Sequence, residues 1–79
     1  AEGKTEAWFI VSAEPGACLY AGLREGVTAE VFAREASGPG VVDLLCRWEV
    51  RPGDCVLVPG GTVHAIGKGI TLLEVQQKV

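Results

Sequence analysis

The sequence predicts a mainly β domain, a small antiparallel β-barrel or sandwich interrupted by one or two short helices. Short runs rich in β-branched and aromatic residues recur along the chain, and turns containing Gly or Pro separate them. The chain has 79 residues, of which 48% are hydrophobic and 22% are charged, a composition typical of a compact globular domain. We therefore expect a single domain over residues 1–79.

Five strands are expected. The first, over residues 5–13, ends at the turn formed by residues 14–16, and the second, over residues 17–22, returns from that turn. After a further turn at residues 51–54, three closely spaced strands are typical of a meander in a sandwich or barrel. These three strands are expected at residues 55–58, 62–66 and 70–76.

One or two short helices are expected between Thr28 and Cys46. Thr28 can cap the first helix, over residues 28–37, and Glu30 lies in its first turn. Residues 41–46 have a one-sided apolar pattern that is compatible with a second short helix. The Gly and Pro residues between the two segments should separate them.

Charge and hydropathy exclude several classes of partner. The 7 basic and 10 acidic residues give a formal charge of -3, and the basic residues are scattered, so we expect no binding to nucleic acid or to an anionic membrane. The longest apolar stretches, such as residues 7–11 and 70–73, are too short to span a bilayer. No positively charged leader precedes an apolar segment, so no targeting segment is expected.

Cysteine usage indicates a reducing compartment. Cys18, Cys46 and Cys55 are odd in number and lack a C-x-x-C spacing, so neither a disulfide framework nor a structural zinc site is predicted. We expect small buried side chains and a cytoplasmic location.

The first strand places an acid on an apolar face. Alternation puts Glu6 on the same face as Trp8 and Ile10, with Phe9 on the opposite face. A carboxylate that faces the interior would need a cation or several hydrogen-bond donors to offset its desolvation. Alternatively, the strand begins after Glu6 and the acid meets solvent at the rim.

His64 is the best-specified candidate for chemistry. It follows a sharp turn made by Pro59 and Gly61, and it should point its imidazole inward. A lone histidine on an apolar face is more often a hydrogen-bonded core residue than a ligand. The spacing Gly53-x5-Pro59-x-Gly61-x2-His64 nevertheless resembles the second conserved motif of the cupin superfamily, although Lys68 stands where that motif ends in Asn. The resemblance implies a cupin-type, jelly-roll antiparallel β-barrel in which His64 is a metal ligand.

Three segments, found in this order along the chain, indicate a particular family within the cupin superfamily. They are Gly3-Lys4-Thr5-Glu6-Ala7-Trp8, Pro59-Gly60-Gly61-Thr62-Val63-His64-Ala65 and Leu73-Glu74-Val75-Gln76-Gln77, and together they resemble the core of the bacterial class I mannose-6-phosphate isomerases.

The family resemblance implies zinc-dependent isomerisation of a sugar phosphate, mannose 6-phosphate to fructose 6-phosphate. It implies that Glu6 and His64 bind zinc and that Lys4 takes part in proton transfer or in phosphate contact. Lys4 is otherwise a solvated residue near the start of the chain. The family's other two zinc ligands, a Gln and a His, and its catalytic arginine have no counterpart here, so the barrel is expected to be partial.

Two further residues and a second function stay open. Glu74 and Gln76 alternate onto one face and would either line the same cavity or lie at a polar rim. The alternative function is a non-catalytic, cupin-like module that binds sugar or forms homo-oligomers through open strand edges. Other cupin activities, such as that of a dioxygenase, fit the sequence less well than the isomerase does. Their iron sites use two or three histidines, whereas the chain has one.

Overall fold

The computed structural model describes residues 4–78 and consists of two three-stranded antiparallel sheets. The predicted mainly β class is confirmed. The α-helix α1 is Ala29–Glu35, and a 3₁₀ helix spans Val41–Leu44. The strands are β1 Glu6–Ala13, β2 Cys18–Leu23, β3 Leu45–Glu49, β4 Cys55–Val58, β5 His64–Ile66 and β6 Ile70–Gln76.

Strand pairing differs from the predicted meander. The first sheet has the order β4-β1-β6, and the second sheet has the order β3-β2-β5. Only β2 and β3 are consecutive strands of one sheet, and they pair with each other. Every other pair of consecutive strands is divided between the two sheets, so β2 does not pair with β1, and β4, β5 and β6 do not pair with one another. A Gly or Pro turn reverses the chain, but it does not specify whether the next strand stays in the same sheet.

The helical segment confirms one prediction and corrects another. Thr28 caps α1, because its Oγ1 accepts a hydrogen bond from the Val31 amide at 3.2 Å. The second predicted helix is a 3₁₀ turn only, and Leu45 and Cys46 belong to β3 instead of the helix. Within residues 4–78, no helix is both long enough and apolar enough to cross a membrane.

The core lies between the sheets and follows the predicted alternation. Trp8 and Ile10 of the first sheet and Leu19 of the second are fully buried. Val50 and Val58 complete the cluster. Burying these apolar side chains supplies the main driving force for holding the two sheets together.

Hydrogen bonds between turns and strands join the sheets at one end. The amide of Gly53 donates to the carbonyl of Ile10 at 2.8 Å, and the amide of Val50 donates to the carbonyl of Ala17 at 3.1 Å. The sheets nevertheless do not close into a barrel, which corrects the expected barrel geometry. Three strands per sheet leave β3, β4, β5 and β6 as edge strands within the described residues.

Gly67 permits a close contact between the β5–β6 turn and β2. Its amide donates to the Cys18 carbonyl at 3.1 Å, and a Cβ at this position would collide with that same carbonyl oxygen. We expect Gly67→Ala to lower the free energy of unfolding by about 1–3 kcal/mol, because the turn must move away from β2. The midpoint of urea denaturation measures this loss.

Gly40→Ala is the matched control for Gly67→Ala. A Cβ at Gly40 would meet its nearest neighbour, an Asp43 carboxylate oxygen, at 4.0 Å, and the φ of Gly40 is -90°. The free energy of unfolding should then change by less than about 0.5 kcal/mol. Equal losses in the two variants would contradict the proposed collision at Gly67.

Candidate functional site

Trp8 is the centre of the candidate site. Its side chain is fully buried, and its indole Nε1 donates a hydrogen bond of 2.7 Å to Oε1 of Glu6. The two residues are two positions apart on β1, so their side chains lie on the same face of the strand. The prediction that Glu6 shares a face with Trp8 is therefore confirmed. Glu6 is half-buried, and this bond uses only one of its two carboxylate oxygens.

His64 approaches the same indole from the other sheet. It begins β5 and lies opposite Ala21 of β2. Its imidazole packs edge-on against the Trp8 ring, with ring centroids 4.9 Å apart and an angle of 75° between the planes. Glu6 and His64, which are far apart in sequence, thus contact a single buried side chain.

The tautomer of His64 follows from its hydrogen bond. Nδ1 lies 2.9 Å from the carbonyl oxygen of Thr62. A carbonyl oxygen only accepts hydrogen bonds, so Nδ1 carries the proton, and the lone pair of the neutral ring lies on Nε2. A backbone carbonyl bonded to one ring nitrogen is the usual arrangement that orients a histidine for metal binding through the other.

The turn before β5 determines where His64 lies. Gly61 adopts a φ of 82°, which a residue with a side chain rarely tolerates, and the Thr62 amide donates to the carbonyl of Pro59 at 3.1 Å. The Gly22 amide then donates to the carbonyl of Val63 at 2.8 Å, which fastens the start of β5 to β2. His64 is exposed to solvent rather than enclosed, although it contacts the core through Trp8.

Lys4 lies directly before β1 and is exposed. Its neighbour Thr5 is fixed at two points, because its Oγ1 accepts from the Gly60 amide at 3.1 Å and its carbonyl accepts from the Gln77 amide at 2.8 Å. The backbone beside Lys4 is therefore held close to the turn that precedes His64. Lys4 itself makes no ion pair with the described residues.

Glu74 and Gln76 lie on the face that carries the candidate site. In the antiparallel pairing of β1 with β6, Glu74 is opposite Trp8 and Gln76 is opposite Glu6. Both side chains are exposed, and β6 is an edge strand of the described sheet. Among residues 4–78, however, no three side chains of His, Cys, Asp or Glu cluster closely enough to hold a metal ion.

A separate cavity lies away from these residues. It has a volume of about 430 Å³ and opens between β3 and β4, where Trp48 and Asp54 contribute to its walls. The Trp48 Nε1 donates to the carbonyl of Ala21 at 3.1 Å, which holds the indole at the cavity. Lys4, Glu6 and His64 do not line it, so the cavity is distinct from the candidate site.

Tyr20 has a perturbed pKa but points away from the candidate site. The neighbouring Cys18 side chain raises the pKa of the Tyr20 phenol, because their hydrogen bond favours the neutral phenol and a charged thiolate would repel the phenolate. Tyr20 follows the fully buried Leu19 on β2, so its side chain lies on the opposite face.

Sequence reasoning gave Trp8 no role beyond its place on the same strand face as Glu6, although this residue connects the two candidate ligands. The available signal was the Glu6-x-Trp8 spacing, which places an acceptor and an indole donor on one strand face. The contact with His64 had no such signal, because it crosses between sheets.

Comparison with known proteins finds similarity to mannose-6-phosphate isomerases. No family model matches the chain. Over 75 residues it is 43% identical to the mannose-6-phosphate isomerase of Streptococcus mutans and 44% identical to mannose-6-phosphate isomerase ManA of Bacillus subtilis, in each case over 95% of this chain. The crystal structure of the mannose 6-phosphate isomerase from Bacillus subtilis superimposes with a TM-score of 0.77 and 39% identity, again over 95% of this chain.

The similarity covers a limited part of each relative. The matched region is 23% of the Streptococcus mutans protein, 24% of the Bacillus subtilis protein and 24% of the chain in the crystal structure. The chain therefore spans about a quarter of the length of the curated relatives that it matches.

Proposed function

We propose that this chain supplies part of the metal site of a cupin-type isomerase, which interconverts mannose 6-phosphate and fructose 6-phosphate with zinc. The names of the relatives support the class of reaction. The observation that carries the proposal for this chain is the contact of both Glu6 and His64 with the Trp8 indole.

The donor atoms of this pair suit zinc. A carboxylate oxygen and a neutral imidazole nitrogen are common zinc ligands, and the hydrogen bond from Nδ1 of His64 to Thr62 leaves Nε2 available. Catalytic zinc sites have three protein ligands and an open position as a rule. In this proposal, Glu6 and His64 provide two ligands, and further donors come from outside the described residues.

The proposed reaction moves one proton between adjacent carbons and one between their oxygens, so it needs no external oxidant or reductant. Bound zinc would polarise the substrate carbonyl and hold its neighbouring oxygen. Lys4 is proposed to contact the phosphate or to move the proton, for which its exposed ammonium beside the anchored Thr5 is suited. Trp8 orients Glu6 and His64 without touching the substrate.

The cytoplasm is the proposed compartment for this reaction. The three cysteines are unpaired, which supports a reducing environment. Cys55 is exposed, so its thiol would be open to oxidation in an oxidising compartment.

Zinc titration followed by imidazole ¹⁵N NMR tests the proposed site. The chain contains one histidine, so its ring signals need no assignment by mutation. We expect zinc to shift the Nε2 resonance of His64 while Nδ1 stays protonated through its bond to Thr62. The isomerase activity of the same samples is measured in parallel, as the amount of fructose 6-phosphate formed from mannose 6-phosphate. Absence of any Nε2 shift at saturating zinc would contradict the proposed site.

A non-catalytic module is the second candidate function. Strands β3 to β6 are all edge strands within the described residues, and unpaired edges favour strand addition by a second copy or by a peptide. Sugar binding or self-association that occurs without any effect of zinc on His64 would favour this candidate over the isomerase.

A further inference from the structure

Thr5 joins three segments of the chain. Its Oγ1 accepts a hydrogen bond from the Gly60 amide at 3.1 Å, which connects it to the turn between β4 and β5. Its amide donates to Oε1 of Gln77 at 3.3 Å, and its carbonyl accepts from the Gln77 amide at 2.8 Å, which connects it to the end of β6. The amide, the carbonyl and the hydroxyl of this half-buried residue are therefore all bonded within the described residues.

Strand register explains why the Thr5 side chain makes the contact with the turn. The pairing of β1 with β4 ends where Glu6 lies opposite Val58. The next residue after β4 is Pro59, which has no amide hydrogen, so the backbone ladder cannot be extended by another amide there. The Thr5 hydroxyl accepts from the following amide, that of Gly60. A side-chain hydrogen bond thus continues the connection where the backbone ladder ends.

The turn that Thr5 holds also orients the imidazole of His64. The Thr62 amide donates to the Pro59 carbonyl at 3.1 Å, which closes a four-residue turn around Gly60. The Thr62 carbonyl in turn lies 2.9 Å from Nδ1 of His64. Three successive hydrogen bonds therefore lead from the Thr5 hydroxyl to the histidine ring.

We propose that Thr5 is a positioning residue of the candidate site, whose hydroxyl holds the His64 turn against the strand that carries Glu6. Thr5 precedes Glu6 directly, so one residue fixes the start of β1 and the turn that presents His64. This role rests on the proposed zinc function, in which the two ligands must keep a defined separation. Hydrogen bonds that orient metal ligands commonly change metal affinity by about 10-fold to 100-fold when they are removed.

Isothermal titration of the Thr5 variants with zinc tests the role of the hydroxyl. Thr5→Val removes the acceptor and keeps the β-branched shape that suits extended backbone. We expect it to raise the zinc dissociation constant by about 10-fold or more. Thr5→Ser keeps the hydroxyl and should retain most of the affinity of the unaltered chain.

Thr71→Val is the matched control for Thr5→Val. Thr71 is exposed and lies near the start of β6, at the opposite end of that strand from Gln77. The same hydroxyl is removed from the same sheet, but away from the His64 turn. The zinc dissociation constant should therefore be that of the unaltered chain.

Gly60→Pro breaks the same hydrogen bond from the donor side. Gly61 has a φ of 82° and Gly60 has no positive φ, which suits a type II turn with Gly60 at the position that proline favours. We expect this variant to raise the dissociation constant about as much as Thr5→Val, and it supplies the same comparison if Thr5→Val does not fold. The double variant should bind zinc no more weakly than either single variant, whereas independent effects would multiply to about 100-fold.

The contact of His64 with Trp8 provides a readout that needs no metal. In the metal-free chain, the nuclear Overhauser effect between the two rings reports their centroid separation of 4.9 Å. We expect this effect to weaken in Thr5→Val and in Gly60→Pro and to persist in Thr5→Ser and in Thr71→Val. A substitution that only lowers stability would leave the effect unchanged in the molecules that remain folded, so this readout separates positioning from a general loss of stability.

The outcomes distinguish the role of Thr5 from the proposed function. Unchanged zinc affinity and an unchanged Overhauser effect in folded Thr5→Val would overturn the role of Thr5 and leave the proposed site intact. Equal losses in Thr5→Val and Thr5→Ser, or multiplying effects in the double variant, would also overturn it. Absence of zinc binding by the unaltered chain would contradict the proposed function. A weakened Overhauser effect in Thr5→Val would then still support the role of Thr5 in holding His64 against Trp8.

Discussion

Replacing Trp8 with alanine should lower the free energy of unfolding by about 3–5 kcal/mol, the range for a fully buried tryptophan. Trp8 is fully buried and packs in the cluster that contains Ile10 and Leu19. A domain of about 80 residues rarely has more than about 3–5 kcal/mol of net stability. We therefore expect this variant to be largely unfolded at room temperature, as measured by circular dichroism and by urea denaturation.

Trp48→Ala is the matched control for Trp8→Ala. The residue change is the same, but Trp48 is 52% exposed and its indole makes a single hydrogen bond to the carbonyl of Ala21. The expected loss is about 1–2 kcal/mol, from one hydrogen bond and partial burial. If the two alanine variants lost equal stability, the assignment of Trp8 to the centre of the core would be wrong.

Trp8→Phe separates the packing role of Trp8 from its role at the candidate site. Phenylalanine keeps an aromatic ring against His64 but removes the Nε1 donor to Glu6. The domain should remain folded, while the zinc affinity of the proposed site should fall because the Glu6 carboxylate loses the group that orients it. Unchanged zinc affinity in the folded variant would show that Trp8 does not position Glu6 for metal binding.

Replacing His64 with glutamine should reduce zinc affinity by about 100-fold or more, since it removes one of two proposed ligands from this chain. The fold should be retained. His64 is exposed, and its edge-on contact with Trp8 accounts for only about 0.5–1.5 kcal/mol of stability. Zinc affinity and stability therefore respond differently to this substitution.

Isothermal titration with zinc measures the effect of the His64 substitution. Glu6→Gln should cause a comparable loss, whereas Glu30→Gln, which alters an exposed acid in α1, should leave the affinity unchanged. Zinc affinity in His64→Gln equal to that of the unaltered chain would show that the metal binds elsewhere. The proposed isomerase site would then lose its main support in this chain.

Local patterns in the sequence were sufficient to locate most of the strands. The predicted bounds of β4 and β6, residues 55–58 and 70–76, are those of the structure. The alternation along β1 also predicted that Trp8 and Phe9 lie on opposite faces, and the structure shows that the face of Trp8 is the buried one. Both features depend on neighbouring residues within one strand, where the side-chain period of two is strict.

The helical segment was predicted less accurately for a physical reason. Thr28 and Glu30 have a specific chemistry at a helix start, so α1 was predicted within a few residues of its bounds. Residues 41–46 combine a 3₁₀ turn with the start of β3. A short apolar run has too few residues for its period to distinguish helix from strand, and the pairing of β3 with β2 decided the outcome.

The sequence alone therefore determined the mainly β class, the division of β1 into two faces and the turn that presents His64. Only the tertiary structure decided that β4, β5 and β6 alternate between two sheets, because strand pairing depends on contacts that a turn motif does not encode. The same alternation brings His64 of the second sheet against Trp8 of the first, the residue whose indole also binds Glu6. The candidate site exists because two distant strands share one core, which no local pattern of residues specifies.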